Sequence, residues 1–263
     1  MGETVAITTY NRADRWRSGG LWASLLAQTA RPDEVVIVDD NSTDDTRDVL
    51  CRLRDTSPIP VRLYRCLLDK QQVYQANAAP ENLAIHYARG DVYVHLDDDG
   101  WVDPGLIEFV RAREMPAAWY GHCRFYLNNG EKFVANDWRK LKYEAEYGPT
   151  HRISKASQHR FGPIWCCPRS TLCELGGHDM TLAQYRGSDV RLGARVGQRL
   201  ECWFTSEPAF TFHHYGWSWS QRQAALGRNL ALYRRLPRGD AVVANYGLAF
   251  WDQIGDVIPH EEM

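Results

Sequence analysis

The segment VYVHLDDDGWVDP, running from Val92 to Pro104, sets Asp97, Asp98 and Asp99 side by side behind a run of β-formers. Three adjacent carboxylates repel one another, and at a strand end they also lie close to the low-dielectric core. Such a cluster needs a positive partner. Carboxylate oxygens are hard donors, so Asp98 and Asp99 suit Mg2+ or Mn2+, with the remaining positions left to water and phosphate. Two further polar clusters, TTYN from Thr8 and VDDNSTDD from Val38, also follow runs of β-formers. Together the three imply a nucleotide pocket. No GxGxxG follows the first strand and no GxxxxGK[ST] occurs, so a bound diphosphate would have to be neutralised by a metal.

The elements that must position these clusters follow from periodicity. VAITTYN alternates, LWASLLAQTA has helical spacing at Leu21, Leu25 and Leu26, and EVVIVDD is a continuous apolar run fit for a strand buried on both faces. TDDTRDVLCRLR predicts a helix, VRLYRC a strand, PENLAIHYARG a helix closed by Gly90, and DVYVHLDD a fourth strand. This alternation predicts an α/β fold built on a parallel sheet, in which ligands bind beyond the carboxyl ends of the strands. The three polar clusters fall at such ends. Further along, VDPGLIEFVRAR predicts a helix capped by Asp103 with Pro104 at its first position. AAWYGHCRFYLNNGEKFVA predicts a hairpin about Asn128, Asn129 and Gly130. Then come a strand in FGPIWCCP, helices in RSTLCELGG and SDVRLGARVGQRL, a strand in CWFTSEPAFTFHH and a last helix in SQRQAALGRNLALYRRL.

Composition bounds the function classes. The chain has 263 residues, 44% hydrophobic and 24% charged, enough for a large core. A net charge of −2 gives no global field that would draw it to nucleic acid or an anionic membrane. No apolar run reaches the roughly 20 residues of a membrane helix, and MGETVAITTYN enters a strand without a signal-peptide pattern. The expected location is cytoplasmic, with a peripheral membrane attachment left open. Seven cysteines without CxxC or zinc spacing predict free thiols, and the adjacent Cys166 and Cys167 should face opposite sides of a strand. The segment DWRKLKYEAEYGPTHRISKASQHR is locally basic: a solvated surface, or a contact for an anionic acceptor such as a phosphate-linked lipid, an acidic glycan or nucleic acid.

VAITTYNR, QTARPDEVVIVDDNSTDDT, LDDDG and LCELGGHD, in this order and spacing, resemble the successive signatures of family 2 glycosyltransferases. The resemblance runs from Val5 to about Tyr215. It implies a GT-A fold, a Rossmann-like mixed sheet flanked by helices, in one domain spanning 1–263. A nucleotide-sugar-binding half would cover about 1–110 and an acceptor-binding, catalytic half about 111–263. It also implies an inverting, metal-dependent transfer from a nucleoside-diphosphate sugar, uridine-linked by expectation, to an acceptor hydroxyl on a carbohydrate, a lipid-linked or another molecule.

Carried over by position, Thr8 and Tyr10 would line the nucleobase, Asp40 would meet its edge, Asp98 the ribose, and Asp99 the Mn2+ or Mg2+. GSDVRLGAR matches the family's EDxDLxxR segment. Asp189 is then the expected base, with Ser188 and Arg191 replacing the usual acids; without a reaction Asp189 would be a helix cap. FTFHHYGWSWS matches the family's late histidine, so His213 or His214 would complete the metal shell, His213 being preferred. Trp217 could wall a sugar or acceptor, and Arg222 could close over the leaving group. Glu81 stands where many members carry a basic residue, which weakens any phosphate role for that turn. Two alternatives remain at this stage: a nucleotidyltransferase using the same acids, and a non-catalytic carbohydrate-binding relative.

Overall fold

The computed structural model describes residues 2–68, 78–113, 117–126, 133–134, 150–152, 163–180, 188–213 and 258–263. The strands are β1 (Glu3–Thr9), β2 (Glu34–Asp39), β3 (Val61–Cys66), β4 (Val92–Asp97), β5 (Gly100–Val102), β6 (Ala117–Tyr126), β7 (Phe133–Val134), β8 (Thr150–Arg152), β9 (Ile164–Pro168), β10 (Glu201–His213) and β11 (His260–Glu262). The helices are α1 (Ala13–Ser18), α2 (Gly20–Leu26), α3 (Thr46–Thr56), α4 (Ala78–Tyr87), α5 (Leu106–Arg111), α6 (Arg169–Glu174) and α7 (Ser188–Arg199).

One sheet runs in the order β11-β3-β2-β1-β4-β9-β6-β10-β5, with β7 on β6 and β8 on β10. The β3-β2-β1-β4 block is parallel, as the alternation predicts. Beyond it the sheet is mixed: β9 runs antiparallel to both β4 and β6, while β10 is parallel to β6. This is the mixed sheet that the resemblance implies.

Period-two alternation divides the core between the two faces. Ala6, Val36, Val38, Trp165 and Cys167 enter one apolar cluster, while Val5, Ile7, Val35, Ile37, Ile164 and Cys166 enter the other. Cys166 and Cys167 therefore do lie on opposite faces, and burial raises both thiols, Cys166 to about 12. Six of the seven cysteines are seen as free thiols. Strand β2 is buried along its whole length, which its unbroken apolar run requires. α3 buries Thr46, Val49 and Leu50, one helical stripe, whereas α4 is buried from Ala78 to Ile85 and packs inside the first cluster.

The helical spacing at Leu21, Leu25 and Leu26 is seen as α2, which Gly19 at φ 74° separates from α1. Only a residue without Cβ takes that left-handed turn cheaply, and the Gly19 amide closes α1 on the Arg15 carbonyl at 3.1 Å. α5 begins after Gly105 at φ 94°, so neither Asp103 nor Pro104 starts it. Gly100–Val102, for which the sequence predicted no strand, pairs antiparallel with β10. The predicted hairpin is seen in its pairing, Phe125 with Val134 and Tyr126 with Phe133; its turn, 127–132, lies outside the described residues, as does the predicted last helix.

Candidate functional site

Strands β1 and β2 end side by side and turn on Asn11 (φ 51°) and Asn41 (φ 58°). Asparagine tolerates this left-handed conformation better than most residues. The two turns are sewn together: Asp40 N donates to Thr9 O at 2.8 Å, Asn11 N to Ser42 Oγ at 2.8 Å, and Thr43 N to Asn11 Oδ1 at 2.8 Å. The two acids of VDD divide their work. Asp39 is fully buried, accepts from Ser42 and lies 3.6 Å from Arg65 Nε. Its carboxyl is pushed above the usual range by burial, against the pull of Ser42 and Arg65. Asp40 follows it, 4% exposed, and Tyr10, just after β1, is 38% exposed.

The acid loop meets these turns. Thr8 pairs in register with Val38 on one side and Asp97 on the other. Thr9 Oγ1 donates to Asp98 Oδ2 at 2.5 Å and accepts from Trp16 Nε1 at 3.0 Å. From α1 and the turn before it come two cations: Arg12 Nε lies 3.8 Å from Asp98 Oδ1, and Arg15 Nη1 lies 3.7 Å from Asp99 Oδ2. Asp97 is half exposed and faces His95 Nε2 at 3.0 Å. Part of the positive charge that the cluster needs is thus built into the chain. Sequence reasoning missed Thr9, Arg12, Arg15 and His95; the spacing of Arg12 and Arg15 sets them on one side of a helical turn but does not say what that side faces.

The cluster remains overcharged. Burial raises the Asp98 carboxyl despite the Thr9 bond, and burial together with the charges of Asp97 and Asp98 pushes Asp99 up to about 7. Asp99 Oδ1 is buried without a hydrogen-bond partner. Hard, crowded, unsatisfied carboxylate oxygens fit a divalent cation. Among the described residues no group of three or more His, Cys, Asp or Glu side chains could enclose one, so other ligands would have to come from elsewhere.

The second half of the chain reaches the same place. β10 runs antiparallel to β5 with Phe212 opposite Gly100, and His213 is the last residue of β10. His214, Trp217 and Arg222 lie outside the described residues. Asp189, in the first turn of α7, is half-buried and its charge acts on His95. Burial pulls the His95 imidazolium down, but Asp97, Glu81 and Asp189 outweigh it and its pKa stands above the ordinary value.

Beneath the acid loop, Glu81 is paired: its Oε2 lies 3.0 Å from His178 Nδ1, in the turn that follows α6. Asn82 exchanges two bonds with the His178 backbone, at 2.9 and 2.7 Å. Arg191, standing where the resemblance leads one to expect an acid, lies with Nε 3.1 Å from Asp179 Oδ2.

Residues 4–113 match the model of the family described as Glycosyl transferase family 2. The chain is 29% identical over 126 residues to the UDP-Glc:alpha-D-GlcNAc-diphosphoundecaprenol beta-1,3-glucosyltransferase WfaP of Escherichia coli; the match covers 48% of this chain and 46% of that protein. The chain thus spans less than half the length of this curated relative. In structure it resembles S. aureus TarS 1–349 in complex with UDP, at a TM-score of 0.63 and 17% identity, over 97% of this chain and 69% of that one. It also resembles the mannosyltransferase PcManGT of Pyrobaculum calidifontis in complex with GDP-Man and Mn2+, at a TM-score of 0.60 and 19% identity, over 90% and 65% of the two chains. These likenesses establish the GT-A fold.

Proposed function

We propose that this chain transfers a sugar from a nucleoside-diphosphate donor to an acceptor hydroxyl with inversion, a reading supported by the match of residues 4–113 to the family 2 glycosyltransferase model. The observation that carries it is the meeting of three strand ends, where Thr9 of β1 bonds Asp98 of the acid loop while its carbonyl accepts from Asp40 beyond β2. The whole chain acts as one unit, with the nucleotide half at about 1–110 and the acceptor half at about 111–263. Uridine is the proposed base, in keeping with the UDP-bound neighbour and the UDP-Glc named for the relative. That relative's diphosphoundecaprenol substrate supports a lipid-linked acceptor. Among the described residues no helix is long and apolar enough to cross a membrane. A cytoplasmic, membrane-peripheral location is part of the proposal.

Thr8 and the exposed ring of Tyr10 line the base, Asp40 meets its edge, and Asp98 meets the ribose. Asp99 and His213, whose strand neighbour Phe212 pairs with Gly100, would hold Mn2+ or Mg2+. When bound, the cation neutralises charge developing on the departing diphosphate. Asp189 accepts the proton of the acceptor hydroxyl as that oxygen attacks the anomeric carbon and the nucleoside diphosphate leaves. Trp217 walls the acceptor side and Arg222 closes over the leaving group.

The test is thermal unfolding against UDP, GDP, dTDP and CDP, each with and without Mn2+. A ligand at one hundred times its dissociation constant adds about 2.7 kcal/mol. A metal-dependent shift with UDP is expected; no shift with any nucleotide would overturn the donor site. Release of nucleoside diphosphate rather than pyrophosphate separates this activity from nucleotidyl transfer.

A further inference from the structure

The turn between α6 and α7 is gripped from both sides. Gly176 and Gly177, at φ 73° and 64°, reverse the chain after α6 and deliver His178 and Asp179 into the core, 1% and 2% exposed. On one side α4 holds the turn through the paired Asn82 bonds and the Glu81–His178 contact. On the other side α7 holds it through two arginines one turn apart on the same helix face. Arg191 Nε meets Asp179 Oδ2 at 3.1 Å, and Arg195 Nη1 donates to Gly177 O at 3.0 Å. Both guanidinium groups are nine-tenths or more buried. Burial lowers the Arg195 pKa to about 10, the nearby Arg191 charge adding to the effect against the pull of Asp179.

Leu192 and Val196 already bury this helix in the apolar cluster, yet apolar contact is non-directional. It fixes how deep α7 sits and leaves its rotation about its own axis loosely set. A buried ion pair adds little net stability over an apolar pair, but its geometry is directional. We propose that Arg191 is a positioning residue: its pair with Asp179 sets the rotation of the first turn of α7 and so holds Asp189 toward the acid loop. The inference rests on the reading of Asp189 as the base. It also gives a role to Arg191, which stands where the resemblance leads one to expect an acid and instead pairs with Asp179.

The experiment compares Arg191→Met, Arg191→Lys and Asp189→Asn with the unmodified chain. Amide hydrogen exchange over 188–192 is read on the protein without ligand. UDP affinity is read with Mn2+, and UDP release is followed from UDP-glucose and UDP-GlcNAc. For Arg191→Met the expected result is at least tenfold faster exchange over 188–192, UDP affinity within twofold, and kcat lowered at least tenfold at unchanged donor KM. Arg191→Lys, which keeps the charge and so folds where Met does not, should recover part of both protection and kcat. Unchanged exchange over 188–192 in Arg191→Met, or an Arg191→Lys variant that recovers nothing, would overturn the positioning role. Full turnover in Asp189→Asn would instead overturn the base on which the inference rests. The two failures are distinct, because exchange is measured without substrate.

Discussion

Arg15 Nη1 stands 3.7 Å from Asp99 Oδ2, a cation from the helix after β1 set against the carboxylate that is proposed to hold a metal. The guanidinium screens the acid cluster when no metal is bound, and it repels any dication that approaches the same oxygen.

Replacing Arg15 by Ala should therefore tighten Mn2+ binding about fivefold or more while weakening the ligand-free fold. Titration calorimetry with Mn2+ alone reads the first effect and urea unfolding the second. Weaker Mn2+ binding in the variant would mean that Arg15 orients Asp99 rather than competing at it.

Asp99→Asn tests the same cluster from the acidic side. Asp97 and Asp98 crowd the buried Asp99 carboxylate, so removing its charge relieves repulsion. The ligand-free variant should be more stable than the parent by on the order of 1 kcal/mol, and its Mn2+-dependent shift with UDP should vanish. A variant that is destabilised yet still shifts with UDP and Mn2+ would place the metal elsewhere.

How far the sequence discloses this arrangement depends on the kind of force involved. The two-sided burial of Cys166 and Cys167 follows from period-two patterning, which is local and readable. The break at Gly19 and the start of α5 at Gly105 depend on single positive-φ residues, which hydrophobic periodicity does not encode. Arg12 and Arg15 were hidden for another reason: nothing local says that a helix following β1 will point its arginines at a loop some 85 residues away. Glu81 read as a defect in a phosphate turn until the fold brought His178 to it. Asp189 and His213 rest on resemblance to a family pattern, which names positions and not the contacts made there.

Thr9 connects β1 to the acid loop, so its hydroxyl matters more than its volume. Thr9→Val keeps the shape and removes both the bond to Asp98 and the acceptor for Trp16 Nε1. A hydrogen bond to a charged group contributes about 1.5 to 3 kcal/mol. UDP affinity in the presence of Mn2+ should fall about tenfold, measured by calorimetry. Unchanged affinity would show that Asp98 holds its place without β1.

The Glu81–His178 pair predicts an acid limb in the stability profile. Burial alone would raise the Glu81 pKa, but the charge of His178 outweighs it, and Glu81 sits below the ordinary 4.5. Since the folded pKa is depressed, the folded state binds fewer protons than the unfolded chain around pH 4. The contribution is therefore present above 4.5 and is lost as pH falls through the lower folded value. Glu81→Gln removes the titrating group while leaving a polar side chain against His178. Breaking one side of a buried pair costs about 3 to 5 kcal/mol, so the variant should be clearly less stable at pH 7. It should also lose stability less steeply than the parent between pH 4.5 and 3. Urea midpoints at pH 3, 3.75, 4.5 and 7 for both proteins decide the matter, because parallel profiles would mean that the pair is not ionised in the folded protein.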